Sequence, residues 1–459
     1  MNYKELIASQ RCYFNSFSTI SIDFRIEQLK KMKAQISAHE TELIAALKED
    51  LNKHEFESYG SEIGLSIVEI DHVIENLRKW CQPQKVASPR FAFPSTSYTK
   101  YDPLGLTLII SPWNYPIQLT IIPLVGAIAA GCTSVVKPSE LAPASANVLK
   151  KIIQKTFKPE YIAICEGGID VSTALLQEKY DLIFYTGSTQ IGKIVYQKAA
   201  ETLTPVVLEL GGKSPCVVDN TCDIEVTAKR IAWGKLINVG QTCIAPDYIL
   251  IDEKVKDIFV EKIIKELKAC YTDTPLTNEQ YGKIISKKHF DRLLALLKDE
   301  KIIHGGQCDS TSNKISPTLV DITDVESAIM QEEIFGPLLP ILTYKNIDEA
   351  IMFINKRPKP LALYVFSKNS QTIKKMEQFT SAGSMCINDC LFQITNVNYG
   401  FGGVGDSGMG SYHGKQSIAC FSHNKTITNR GTWLDLDMRY APYGRYSLEF
   451  LKKAMRWSF

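Results

Sequence analysis

Three side chains in this 459-residue chain stand in surroundings that suit chemistry: the thiol of Cys243, the carboxylate of Glu209 and the amide of Asn114. Cys243 lies in Asn238-Val239-Gly240-Gln241-Thr242-Cys243-Ile244-Ala245-Pro246, a small, turn-prone segment after a predicted helix over 224–236. A free thiol titrates near 8.5, so only a few per cent is thiolate at neutral pH unless backbone donors or charges help. Most single cysteines are inert packing residues, and that reading applies to most of the other eleven. Glu209, in Leu208-Glu209-Leu210-Gly211-Gly212-Lys213, closes an apolar strand and reads equally as a paired structural acid or a tuned base. Asn114, in Ser111-Pro112-Trp113-Asn114-Tyr115-Pro116, is a neutral donor in an uncharged loop at a strand's carboxyl end, where open α/β sheets bind ligands.

Two glycine patterns suggest a nucleotide. Gly187-Ser188-Thr189-Gln190-Ile191-Gly192-Lys193 follows a predicted strand and opens a predicted helix, where free N–H groups and the helix dipole suit a phosphate. It falls short of a P-loop because Ile194 stands where a hydroxyl would hold magnesium. A dinucleotide pyrophosphate needs only the helix terminus; the competing reading is a plain turn at Gly187. Gly403-Val404-Gly405-Asp406-Ser407-Gly408 spells G-x-G-x-x-G, yet no strand precedes it and no acid follows about 20 positions on. It reads as a decoy. No metal-ligand cluster and no Gly-x-Ser-x-Gly elbow occurs in the sequence, so no metal is expected and zincin and serine hydrolase readings fall away.

These groups need a scaffold, and the pattern supplies an α/β one. Residues 3–80 are helical, with Ile26, Leu29, Met32 and Ile36 at three- and four-residue steps. A Pro- and Ser-rich connector over 83–94 leads to an extended arm over 95–101. Strands over 106–110, 134–137, 161–165, 182–185 and 205–209 then alternate with helices over 117–130, 144–156, 171–178 and 189–201, the rhythm of a parallel, doubly wound sheet. A second α/β run covers 223–387. The 34 uncharged residues from 103 to 136 raise a membrane span, but Pro112, Pro116 and Pro123 interrupt them, and a strand buried on both faces explains the apolar run.

Composition excludes other classes. With 45% hydrophobic and 22% charged residues the chain is globular, and 52 Lys and Arg against 50 Asp and Glu leave +2, no field for nucleic acid. Twelve cysteines without a Cys-x-x-Cys pair read as reduced thiols, and the N-terminus lacks a signal-peptide pattern, so a cytoplasmic location is expected.

Together these segments resemble the aldehyde dehydrogenase superfamily, and Gly240 to Tyr248 looks like its class 3 branch, which oxidises fatty and aromatic aldehydes. Pro112-Trp113-Asn114, Lys137-Pro138-Ser139-Glu140, Thr186-Gly187-Ser188-Thr189, Glu209 to Lys213, Glu332-Glu333-Ile334-Phe335-Gly336-Pro337 and Gly402 to Gly405 occur in the family's order over nearly the whole chain. The resemblance implies an aldehyde dehydrogenase-like fold of two doubly wound α/β domains with a small β oligomerisation arm. It divides the chain into a dinucleotide-binding domain (1–81 and 101–208), a catalytic domain (209–395) and an arm with a C-terminal tail (82–100 and 396–459).

It also implies roles. Cys243 would attack the aldehyde, Asn114 and the Cys243 N–H would hold the oxyanion, and Glu209 would activate the water that hydrolyses the thioester. Lys137, Glu140, Gly187, Ser188, Gly192, Glu333 and Phe335 would bind NAD, with NADP as the alternative, since Glu140 repels a 2′-phosphate. Tyr115, Leu119, Ile237, Leu391, Ile394 and Phe401 would line an apolar funnel for a medium- or long-chain fatty, terpenoid or carotenoid aldehyde, with His413 beside it in a structural role. A homodimer is implied. The tail, with Leu448, Phe450, Leu451, Met455, Trp457 and Phe459 among Lys452, Lys453 and Arg456, would pack against the partner or lie on a membrane surface. The rival readings are a non-catalytic scaffold of the same fold and a peripheral membrane protein acting through that tail.

Overall fold

The computed structural model describes residues 2–435, 437–443 and 447–457. The helical lead-in runs through Tyr3–Asn15, Ile22–Ala38, Glu40–Leu51, Glu55–Ser58 and Gly64–Trp80, with a π-helical turn, Tyr59–Ile63, before the last. In Ile22–Ala38 the expected stripe is fully buried at Leu29, Met32 and Ile36, and Ser21 caps the start by accepting the Phe24 N–H.

The first sheet has six strands, in the order Gly408–Met409, Val206–Glu209, Leu182–Thr186, Leu106–Ile110, Thr133–Lys137 and Ile162–Ile164. All pair in parallel except the outermost, Gly408–Met409. Every residue of the three central strands is buried, which is why their sequences are unbroken apolar runs. The chain winds outward from Leu106–Ile110 in one direction and then returns to wind outward in the other. The topological switch point therefore lies between Leu106–Ile110 and Leu182–Thr186, and the loops carrying Asn114 and Gly187 leave the carboxyl ends of these two strands. Helix Gln118–Ala130, buried along its whole length, ends at Gly131 in a left-handed conformation (φ 96°), where a side chain would meet the Arg25 guanidinium at 2.7 Å.

The second sheet has seven strands, in the order Lys301–His304, Thr318–Asp321, Leu338–Tyr344, Tyr248–Asp252, Pro215–Val218, Ala362–Phe366 and Ser384–Ile387; only the first is antiparallel. A separate antiparallel sheet joins Gln84–Val86, Ser95–Pro103 and Ser422–Arg430. The α/β expectation holds.

Within the stretch expected for the arm and tail, Gly408–Met409 pairs with Leu208–Glu209 at the edge of the first sheet, and helix Gly414–Cys420 packs on Gln118–Ala130, with Gly126 against Ser417 and Phe421. Close backbone approach makes the strand pairing possible, since a Cβ on Gly408 would lie 2.0 Å from the Leu208 carbonyl oxygen. The second glycine pattern thus builds a turn and a sheet edge. At the other end, strand Ser95–Pro103 runs across the expected boundary at 100.

The tail forms a helix, Leu448–Trp457, with Leu448, Phe450, Leu451 and Met455 exposed; Tyr446 and Phe459 lie outside the described residues. Among the described residues no helix is long and apolar enough to cross a membrane.

Candidate active site

Cys243 is presented by an unusual stretch of backbone. Asn238 (φ 49°), Val239 (φ 57°) and Gly240 (φ 75°) are consecutively left-handed, which is costly for a β-branched valine. Glycine is required at 240, because a Cβ there would lie 2.3 Å from the Gly336 carbonyl oxygen. Hydrogen bonds hold the stretch. The Gln241 side chain donates to the carbonyls of Asn238 (3.2 Å) and Lys283 (3.0 Å) and accepts from the Ile285 N–H (3.0 Å).

Asn114 reaches this loop from the first sheet, donating from Nδ2 to the Gln241 carbonyl at 3.0 Å. Its own carbonyl accepts from Asn238 Nδ2 at 2.7 Å. Next to it, the Tyr115 hydroxyl lies 2.6 Å from Thr242 Oγ1.

Glu209 ends strand Val206–Glu209, is 3% exposed, and neither carboxylate oxygen has a hydrogen-bond partner. Burial alone holds its carboxyl well above the usual range. The Cys243 thiol is also pushed up, first by burial and then by Glu333 and Glu209; the backbone N–H groups of Cys243 and Ile244 oppose this. Burial thus favours the neutral form of both groups, and Glu209 keeps two unpartnered oxygens.

Cys243 and Glu209 lie where two cavities meet. One, of about 390 Å³, is lined mostly by apolar side chains and contains all six residues expected for the funnel: Tyr115, Leu119, Ile237, Leu391, Ile394 and Phe401. His413 is not among its lining residues; it is buried with Nδ1 3.4 Å from Glu69 Oε2.

The other cavity, of about 420 Å³, is lined by Asn114, Gly187, Ser188, Glu333 and Phe335 together with Trp113, His289 and Arg292. Glu333 is pushed up to about 8, by burial first and then by Asp247, and its Oε1 has no partner. Phe335 meets Trp113 edge-on at 5.4 Å between ring centroids. Helix Thr189–Ala200 begins here, capped by Ser188. Such a cavity suits a ligand with phosphates at the helix terminus and hydroxyls toward the free Glu333 oxygen.

Three expected cofactor residues lie elsewhere. Lys137, the last residue of strand Thr133–Lys137, is paired at 2.7 Å with Glu140 just beyond it; burial works to raise the Glu140 carboxyl, but the Lys137 hydrogen bond, a backbone hydrogen bond and the Lys137 charge together hold it below the usual value. Gly192 sits inside the helix with Leu210 against it, where a Cβ would lie 2.7 Å from a leucine methyl. Among the described residues no group of three or more His, Cys, Asp or Glu could hold a metal.

Sequence reasoning missed Phe56, Glu57 and Leu65 of the lead-in and Trp233, Cys270 and Phe392, all of which line the apolar cavity. Phe56 is 84% exposed and Phe392 55%, and no local pattern in the sequence marks any of the six as cavity-lining.

Comparison with known proteins agrees with this geometry. Residues 1–427 match the model of the aldehyde dehydrogenase family. The chain is 46% identical over 435 residues to 4,4'-diaponeurosporen-aldehyde dehydrogenase of Staphylococcus aureus, covering 94% of this chain and 95% of that protein. It is 44% identical over 440 residues to the dimeric NADP-preferring aldehyde dehydrogenase of Canis lupus familiaris, covering 95% and 97%. Among solved structures, the substrate-bound state of Staphylococcus aureus AldH superposes with a TM-score of 0.96 at 44% identity, covering 99% of this chain and 100% of that one.

Proposed function

The chain belongs to the aldehyde dehydrogenase family, and from that premise we propose that it oxidises medium- and long-chain apolar aldehydes, fatty or terpenoid, to carboxylic acids with NAD or NADP as oxidant. The observation that carries this is the placement of Cys243 and Glu209 at the junction of an apolar and a polar cavity.

The Cys243 thiol gives up its proton to solvent and Sγ attacks the carbonyl carbon, the C=O π pair moving to oxygen to give a thiohemiacetal oxyanion. The oxyanion is met by the Asn114 amide and the Cys243 N–H; removing one such donor costs about 2.7–4 kcal/mol of barrier. A dinucleotide held by Gly187, Ser188, Glu333 and Phe335 would supply the oxidised ring to which the hydride of that carbon is transferred. The product on Cys243 is a thioester. Glu209, whose two oxygens are free, takes a proton from water, which hydrolyses the thioester and releases the acid.

The polar cavity fits the cofactor on its own features. Gly187 gives close access at the helix terminus, where a Cβ would lie 2.3 Å from the Tyr185 hydroxyl, and Glu333 offers an unpartnered oxygen to ribose hydroxyls. In this reading residues 1–208, without the arm, build the dinucleotide domain, and 209–395 the catalytic domain. The relatives named dimeric support a homodimer, with the three-stranded sheet and the exposed apolar face of Leu448–Trp457 as its contact surfaces.

The test is a panel of straight-chain aldehydes assayed with both cofactors. Burial recovers about 25 cal/mol per Å² of apolar surface, so kcat/KM should rise at least about tenfold from acetaldehyde to a ten-carbon aldehyde. A flat or falling profile overturns the substrate assignment.

A further inference from the structure

The two halves of the reactive centre come from different sheets, so something must set their separation. We propose that Lys53, Glu57 and Glu62 of the helical lead-in are positioning residues that fix Asn114 relative to the Cys243 loop. The inference rests on the roles proposed above for Asn114 and Cys243.

Lys53 and Glu62 form an ion pair at 2.5 Å whose side chains are 1% and 0% exposed. The other oxygen of Glu62 accepts the N–H groups of Ile117 (2.8 Å) and Gln118 (3.5 Å), capping helix Gln118–Ala130 just after the Asn114 loop. Lys53 Nζ donates to the Asn114 carbonyl at 3.4 Å and stands 4.3 Å from the centroid of the Tyr115 ring. That carbonyl also accepts from Asn238 Nδ2 at 2.7 Å, and the Asn238 backbone N–H donates to Glu57 Oε1 at 2.7 Å. One continuous set of hydrogen bonds thus runs from Glu57 through Asn238, Asn114 and Lys53 to Glu62.

The local backbone explains how two acids five positions apart serve one site. In an α-helix they would point about 140° apart. Here the segment Tyr59–Ile63 is π-helical, with the Gly64 N–H donating to the Tyr59 carbonyl, and the wider turn brings Glu57 and Glu62 toward one side. Stability alone does not account for the arrangement, because a buried ion pair is commonly no better for stability than apolar residues of similar volume. What the pair supplies is a fixed cation beneath the Asn114 carbonyl and a fixed anion at the start of the helix.

The test compares turnover with the alkylation of Cys243 by iodoacetamide, a reaction that develops no oxyanion. In the double variant Lys53→Met/Glu62→Gln the charges leave together, and the amide oxygen introduced at position 62 can still accept the Ile117 N–H. It should lose at least tenfold in kcat, with the cofactor KM and the alkylation rate within threefold of the starting protein. A kcat within threefold of the starting protein, or turnover and alkylation falling together, overturns the inference. Should the double variant not fold, Glu57 decides: Glu57→Ala should lose at least tenfold in kcat, while Glu57→Gln, which keeps an acceptor for Asn238, should lose no more than threefold. Equal effects of the two Glu57 substitutions overturn the inference. Failure of the underlying chemistry is distinguishable, because it would leave turnover intact in Cys243→Ser.

Discussion

Glu333 and Gly211 are fitted so closely that a Cβ on the glycine would lie 1.9 Å from Glu333 Oε2. The carboxylate that closes the polar cavity stands where it does because residue 211 has no side chain.

Gly211→Ala should therefore displace Glu333 with little backbone strain, since glycine 211 is not in the left-handed region. The expected result is a cofactor KM raised about tenfold with a much smaller change in the KM for aldehyde, read from initial rates with each substrate varied. Equal changes in both would place Glu333 outside cofactor binding.

Cys243→Ala should abolish oxidation, while Glu209→Gln should release a burst of about one reduced cofactor per site followed by slow turnover, because only thioester hydrolysis needs the base. Stopped-flow absorbance resolves the two phases. A Glu209→Gln protein with an unchanged steady-state rate would contradict the assigned base.

Glu333 gives a pH prediction with a definite sign. Its folded pKa, about 8, lies above the ordinary value of 4.5, so the folded state holds the proton more tightly than the unfolded chain. The associated stability is fully present below the ordinary value and is lost as pH rises through about 8. Glu209 acts in the same direction. The thermal midpoint should fall between about pH 5 and about pH 9, and Glu333→Gln should reduce that fall by about 2 °C or more, measured by calorimetry across the range.

Gly240→Ala meets both the left-handed φ of 75° and the Gly336 carbonyl oxygen at 2.3 Å. Strain of this kind costs about 1–3 kcal/mol, and relief requires the Cys243 loop to move. Turnover should drop at least about a hundredfold while the fold persists, with circular dichroism checking the fold and initial rates the activity. Turnover within tenfold of the starting protein would show that the loop tolerates the shift.

The strands of the first sheet were legible because burial on both faces leaves an apolar run such as Leu106–Ile110, bounded by turn residues. The funnel positions followed from family resemblance, and all six line one cavity. The lead-in network was not legible. Nothing in the local pattern singles out Lys53 or Glu62, and only the fold pairs them and brings Lys53 to the Asn114 carbonyl. The left-handed Asn238 and Val239 were equally hidden, since neither residue type announces that conformation as glycine does. The two-residue strand Gly408–Met409 is too short to carry any periodicity, so its place beside Glu209 emerges only from pairing across the sheet.

The meeting of two cavities at one sulfur has a consequence for traffic. The apolar cavity is bordered by exposed Phe56 and Phe392, and the polar one by exposed Ser188 and Gln190. In the assignment proposed above each reactant has its own doorway, so spent dinucleotide and finished acid would leave by separate paths.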